Sequence, residues 1–278
     1  MKGLVNWEAL QKLSFGPAYE RMNSDPAKMW GQTAVMYNKM VQLEKEYTKS
    51  QVETFILEPE DTVLDIGCGP GRLAIPVAQK VARVTALDVA PQMLEVCEGN
   101  ARLAGVDNLY TRLLNWDDAI IGDNLEQHDV VIASRSAGLH DLVKLNGAAR
   151  KYVFVLSFAQ SPSLKHARDS LFIGASEEVK PLPPMNRMLG YNLTFNILYD
   201  LGIDPSLKVV TDGFTGSYGS RLEAYDDLRV LCEFPPENEH IFRSNVDKWL
   251  LDNPDGSCTF RIETKTYIMW WEPKPLNV

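Results

Sequence analysis

Basic residues are scarce: 28 lysines and arginines stand against 37 acids, a net charge of −9 over 278 residues. Nucleic-acid affinity comes largely from cations that neutralise phosphates, so this balance argues against an RNA or DNA partner. Cysteine is sparse too, and none of Cys68, Cys97, Cys232 and Cys258 stands in a CxxC pair or near a histidine at ligand spacing. That pattern points away from a disulfide framework and from a metal site, and reads as reduced thiols in a cytoplasmic protein. Long apolar runs are missing as well. The uncharged stretch from Met188 to Tyr199 falls well short of the roughly 18 residues a membrane span requires. The opening MKGLVNWEALQ meets Asn6, Trp7 and Glu8 too soon for a secretory leader. No repeat recurs at a solenoid period. What is present is ordinary globular composition, 45% hydrophobic and 23% charged, enough for a large core with an appendage.

Along the chain, residues 1–50 carry Trp30, Ala34, Tyr37, Met40, Leu43 and Tyr47 at intervals of three and four, one stripe of a helical cap. The spacing is what any core-facing stripe shows, and Trp30 and Tyr37 serve equally as packing or as a lid over a ligand. Residues 51–160 then alternate: strands at Val63–Ile66, Arg83–Leu87, Asn108–Leu114, Asp129–Ala133 and Tyr152–Phe158, with helices at Arg72–Val81 and Pro91–Leu103. Strands and helices at this pitch predict a parallel sheet covered on both faces. Residues 161–278 form a looser half. Helical segments are interrupted by prolines 181, 183 and 184, a strand is expected at Lys208–Phe214, and helices at Arg221–Leu231 and Glu239–Leu251. A closing strand or hairpin is expected at Cys258–Trp271. Of the paired Trp270 and Trp271, one reads as core and one as surface, hinting at an interface between copies in a homodimer.

The richest stretch is VLDIGCGPGRLAIPVA, residues 63–78. A buried strand runs into Gly67, Gly69 and Gly71, so the backbone turns sharply and leaves a ligand no side chain to meet. Cys68 sits inside this turn, where its backbone rather than its sulfur faces the ligand. Asp65, at the strand end, can accept from an ammonium group. Asp88 ends the next strand, placed to hold both hydroxyls of a ribose. After the third strand comes Asn115-Trp116-Asp117, an indole to face an adenine, or else to pack as a buried aromatic, beside a carboxylate for its exocyclic amine. Together they describe a strip for an adenosine with an amino-acid tail.

In their order, VLDIGCGPG, VTALDVAPQML, NWDD and DVVIASRS resemble the class I S-adenosylmethionine-dependent methyltransferases over residues 50–160. The resemblance implies a Rossmann-like α/β three-layer sandwich, with a mostly parallel seven-stranded sheet, an antiparallel last strand supplied by TYIMWWEP, and an N-terminal helical lid. It implies S-adenosylmethionine as methyl donor and S-adenosylhomocysteine as product. Asp65, Gly67, Cys68, Gly69 and Gly71 then lie under the methionine moiety, Asp88 on the ribose, Val89 and Met93 beside the adenine, Asn115, Trp116 and Asp117 at its edge, and Ser134 and Arg135 next to the methyl group. A nicotinamide-binding Rossmann turn wants glycine where Arg72 stands. The Pro-Pro-Tyr that the family's exocyclic-amine enzymes carry after the fourth strand is replaced by Ala133-Ser134-Arg135-Ser136. A small-molecule acceptor is therefore expected. A protein or RNA acceptor and a non-catalytic donor-binding protein are the alternatives. Arg135 is a candidate to steer an anionic acceptor. His140 is a candidate general base, though a histidine at the start of a helix is as readily a solvent-facing residue, and the neighbouring Asp141 a helix cap.

Overall fold

The structure, a computed structural model, describes residues 5–7, 9–11, 25–159, 162–181 and 190–276. The expected turn at Pro183 and Pro184 lies outside these residues, as does part of the N-terminal cap. Asp25 caps helix α1 (Pro26–Gln32), accepting from the Lys28 amide at 3.0 Å with Pro26 in the first turn, where its missing N–H costs nothing. Helix α2 (Ala34–Val52) follows directly.

Strands β1 (Thr62–Ile66), β2 (Arg83–Asp88), β3 (Leu109–Leu113), β4 (His128–Ser134) and β5 (Ala149–Phe158) are mutually parallel in the order 3-2-1-4-5. Helix α3 (Ala74–Ala78) connects β1 to β2, α4 (Pro91–Leu103) connects β2 to β3, and α5 (Leu142–Ala148) leads into β5. The helix expected over 72–81 shortens to α3; at its start Pro76 has no N–H to donate to the Arg72 carbonyl. The central strands are buried on both faces, hence their continuous apolar runs. Val131 and Ala133 face one side of β4, Val130 and Ile132 the other.

The second half extends this sheet. After α6 (Leu164–Ser170) and α7 (Tyr191–Asp200) comes β6 (Ser206–Tyr218), then α8 (Arg221–Leu228), α9 (Glu239–Asp247), β7 (Leu250–Asp252) and β8 (Cys258–Trp271). Strand β8 runs antiparallel between β5 and β6, the reversed last strand that was expected. Strand β6 is longer than the predicted Lys208–Phe214. Leu250 and Leu251, expected to end a helix, instead form β7 against Phe260 and Thr259 of β8, an eighth strand. Within β6, Gly213 has φ +152, and a Cβ there would fall 2.1 Å from the Ile262 carbonyl oxygen, so only glycine lets the two strands pair here.

Beyond that point the outer halves of β6 and β8 carry a separate buried cluster, with Phe214, Phe242, Phe260 and Phe172 at its centre. Met40 and Leu43 of α2 dock into it, so the N-terminal helix is held by the C-terminal half. Trp271 is core, its indole N–H donating to Asn146 at 3.2 Å, and Trp270 is half-buried and stacked on Phe154. No helix among the described residues is long and apolar enough to cross a membrane.

Candidate functional site

The chain enters the sheet at β1, moves outward to β3, and returns to β4 on the other flank of β1. At such a reversal the connections leave in opposite directions and open a crevice beyond the carboxyl ends of the two strands. Residues 67–71 follow β1, and Ser134 ends β4 with Arg135 and Ser136 after it, so both segments lie at these carboxyl ends.

Gly67, Gly69 and Gly71 have φ of +69, +53 and +89, conformations that a Cβ resists. The amides of Gly67 and Cys68 donate to the Leu87 carbonyl at 2.8 and 3.0 Å, and the Gly69 amide donates to the Asp88 carboxylate at 2.9 Å, so the turn is tied to β2. A Cβ at Gly67 would come 2.5 Å from Cβ of Ser136, whereas at Gly69 its nearest neighbour is the Tyr37 ring, 3.8 Å away. The Cys68 thiol turns into the core beside Leu73 and Cys97, leaving the backbone to form the turn.

Two carboxylates flank it. Asp65 is 2% exposed, and burial raises its pKa to about 7, aided by Asp88 and opposed by Arg72. Asp88 also sits above the usual carboxylate range through burial, although the amides of Ala90, Gly69 and Val89 bond to it. Buried acids lacking full counter-charge form a site suited to a cationic, hydroxyl-bearing ligand. The Ser136 hydroxyl is buried with no hydrogen-bond partner among the described residues and lies over Gly67. These features fit a sulfonium nucleoside: a turn stripped of side chains, acids at two adjacent strand ends, and a waiting hydroxyl.

Of the expected adenine neighbours, Met93 is buried against Ala34 and Ala90, with Trp30 and Tyr37 packed on the same cluster, and Val89 is half-buried. Asn115 caps the short 3-10 turn Trp116–Asp118, accepting from the exposed Asp117 at 3.2 Å. Trp116 requires a correction. It is 3% exposed, packed into the core with the Lys144 ammonium 4.6 Å over its ring, so its indole face is not open to a stacked base.

Arg135 requires another. The strand end holds it at φ +53, and its guanidinium, 8% exposed, donates to Glu44 at 2.8 Å, to Asp212, and to Thr266 at 3.3 Å, with the Phe158 ring 4.6 Å away. Burial opposes its charge, yet Glu44 and Asp212 hold the proton more firmly than usual. An arginine occupied by two carboxylates is not free to steer an anionic acceptor. Arg72 leaves the glycine turn to bond Gln51 at 2.7 Å and Ser134 at 2.7 Å, so the Ser134 hydroxyl is engaged as an acceptor. His140 ends the 3-10 turn Ala137–His140, and burial pushes its pKa down while Asp117 pulls it up. Asp141 caps α5, accepting from the Lys144 amide. Gln11 donates to the Leu139 carbonyl at 3.1 Å, bringing the N-terminal segment onto the same loop.

Glu44, Thr48, Gln51, Asp212 and Ser136 escape the reading of the sequence. Glu44, Thr48 and Gln51 recur at intervals of four and three on α2, a signal that reads as a solvated helix face until Arg72 and Arg135 are seen against it.

A family model described as "Methyltransferase domain" matches residues 63–156. An uncharacterized protein of Haemophilus influenzae is 32% identical over 222 residues, covering 78% of this chain and 77% of its own length. A 23S rRNA (uracil-C5) methyltransferase of Klebsiella pneumoniae is 34% identical over 65 residues, 23% of this chain and 15% of that protein. Among solved structures, a candidate methyltransferase of Bacillus halodurans shares the fold at 10% identity and TM-score 0.51, over 82% of this chain and 99% of that one.

Proposed function

We propose that this chain, a class I S-adenosylmethionine-dependent methyltransferase by the match of its residues 63–156 to a methyltransferase domain, transfers the donor's methyl group to a small-molecule acceptor. The observation that carries the donor site is the pair of buried carboxylates, Asp65 and Asp88, bracketing the glycine turn at the ends of neighbouring strands.

S-adenosylmethionine supplies a methyl group on a sulfonium, already a good leaving group. No protein nucleophile is needed, and the protein's contribution is alignment, which can supply roughly 7 to 11 kcal/mol. Asp65 would pair with the donor's ammonium group and Asp88 with its ribose hydroxyls. Ser136 would offer its hydroxyl over the turn, and Met93 and Val89 apolar surface at the far end. Tyr37 would exclude water from the side of Gly69. Burial keeps His140 neutral near pH 7, the form that can take a proton from an acceptor hydroxyl.

A small acceptor is supported by helices closing over the strand ends and by the surplus of acids, 37 against 28 basic residues. That surplus also weighs against an RNA acceptor, despite the local likeness to an rRNA methyltransferase. The test is to incubate the protein with methyl-labelled donor and a cell extract split by size. Label in the small-molecule fraction supports the reading. Label in protein or RNA alone overturns the acceptor class, and donor binding without any product points to a non-catalytic binder.

A further inference from the structure

Helix α2 buries polar residues beside apolar ones: with Met40, Leu43, Tyr47 and Val52 its inward side carries Glu44, Thr48 and Gln51, Glu44 being 1% and Gln51 0% exposed. A buried charge is costly unless paired, so this face must answer a partner. Two arginines provide one. Arg135, from the end of β4, donates to Glu44 at 2.8 Å, and its second terminal nitrogen is bonded to Asp212 of β6. Arg72, from the glycine turn, donates to Gln51 at 2.7 Å and to Thr48 at 3.4 Å, with its Nε 3.7 Å from Glu44. The helix is thereby gripped by the loops that border the donor crevice.

The grip has a geometric consequence. Glu44 follows Tyr37 by about two helical turns, so both share a face and the register of one sets that of the other. The Tyr37 ring lies over Gly69, where a Cβ would be 3.8 Å from it, and packs edge-on against Trp30 at 5.8 Å. Arg135 holds its place at φ +53, a left-handed conformation that a side chain resists and that persists only where surroundings impose it. Here the imposing contacts are Glu44, Asp212 and Thr266. We infer that Arg135 and Glu44 are positioning residues: their buried ion pair fixes α2 so that Tyr37 closes over Gly69 at one side of the donor site. This rests on the proposal that the glycine turn binds S-adenosylmethionine.

The test is a double-mutant cycle on the full chain, with S-adenosylhomocysteine as the probe and affinity read by calorimetry. Glu44→Gln and Tyr37→Ala should each weaken binding about tenfold, and the double variant should be no weaker than Tyr37→Ala alone, because Glu44 acts through Tyr37. In hydrogen exchange, the probe should slow amides of both residues 34–52 and residues 62–71 in the wild type, but only those of 62–71 in Glu44→Gln. Additive losses reaching about a hundredfold, or a Glu44→Gln variant that binds and protects α2 as the wild type does, would overturn the inference. If Glu44→Gln melts early, Arg135→Lys tests the same pair, since one ammonium cannot grip Glu44 and Asp212 as a guanidinium fork does. A wild type that fails to bind the probe overturns the donor site itself, a result distinct from failure of the ion pair.

Discussion

Asp65 keeps its proton in the folded chain up to about pH 7, whereas an unfolded aspartate loses it near 4. The folded state therefore binds more protons than the unfolded one between these values, and stability falls as pH rises through that window. The whole effect is about 4 kcal/mol. Asp65→Asn should accordingly raise the thermal midpoint at pH 8, leave it nearly unchanged at pH 4, and weaken donor binding at least tenfold. Melting curves at the two pH values with a titration at pH 8 check this, and a lower midpoint at pH 8 would count against a strained carboxylate. The placement of Asp65 and Asp88 near strand ends and of the glycines in a left-handed turn was legible in the sequence because it is local, fixed within a few residues. Of the two readings of Trp116 the structure has the buried one, which local sequence could not single out because Lys144, which covers its ring, comes from another helix. The role of Arg135 was misread for the same reason, its partners Glu44 and Asp212 lying 91 and 77 residues away.

Elements were legible where a run was fully apolar or cleanly periodic. Strands β1, β2, β4 and β5 are buried on both faces and announce themselves as such. Strand β7 does not, because what makes Leu250–Asp252 a strand is the backbone of Phe260 and its neighbours, not its own composition. The long β6 and β8 pair passes through one position with no room for a side chain, the close approach of Gly213 to Ile262. Gly213→Ala would press a methyl group onto that carbonyl and should loosen the pair outward from this point. Hydrogen exchange should then quicken for amides in Phe214–Tyr218 and Cys258–Glu263, while Val63–Ile66 of β1 stays protected. Unchanged exchange in the outer strands would refute the close approach.

At the scale of the molecule, the expected parallel sheet with a reversed last strand is present, with helices at Pro26–Gln32 and Ala34–Val52 before it. The second buried cluster was the hidden part, since it joins α2 to segments beyond residue 160 and no local pattern reveals that. It links the cap to the C-terminal half, so donor binding should stabilise the chain as a unit. With donor at a hundred times its dissociation constant, the gain is about 2.7 kcal/mol, a rise in midpoint of roughly 5 to 10 °C for a chain of this size. A single melting transition that moves upward as a whole is the expected outcome; two transitions of which one moves would separate the halves.

The central claim, that the glycine turn and its two acids hold S-adenosylmethionine, is tested most directly by calorimetric titration of the wild type and Asp88→Ala with S-adenosylmethionine and S-adenosylhomocysteine. The account predicts micromolar binding of both ligands to the wild type and its loss in the variant. No binding to the wild type, or equal binding to Asp88→Ala, would contradict it.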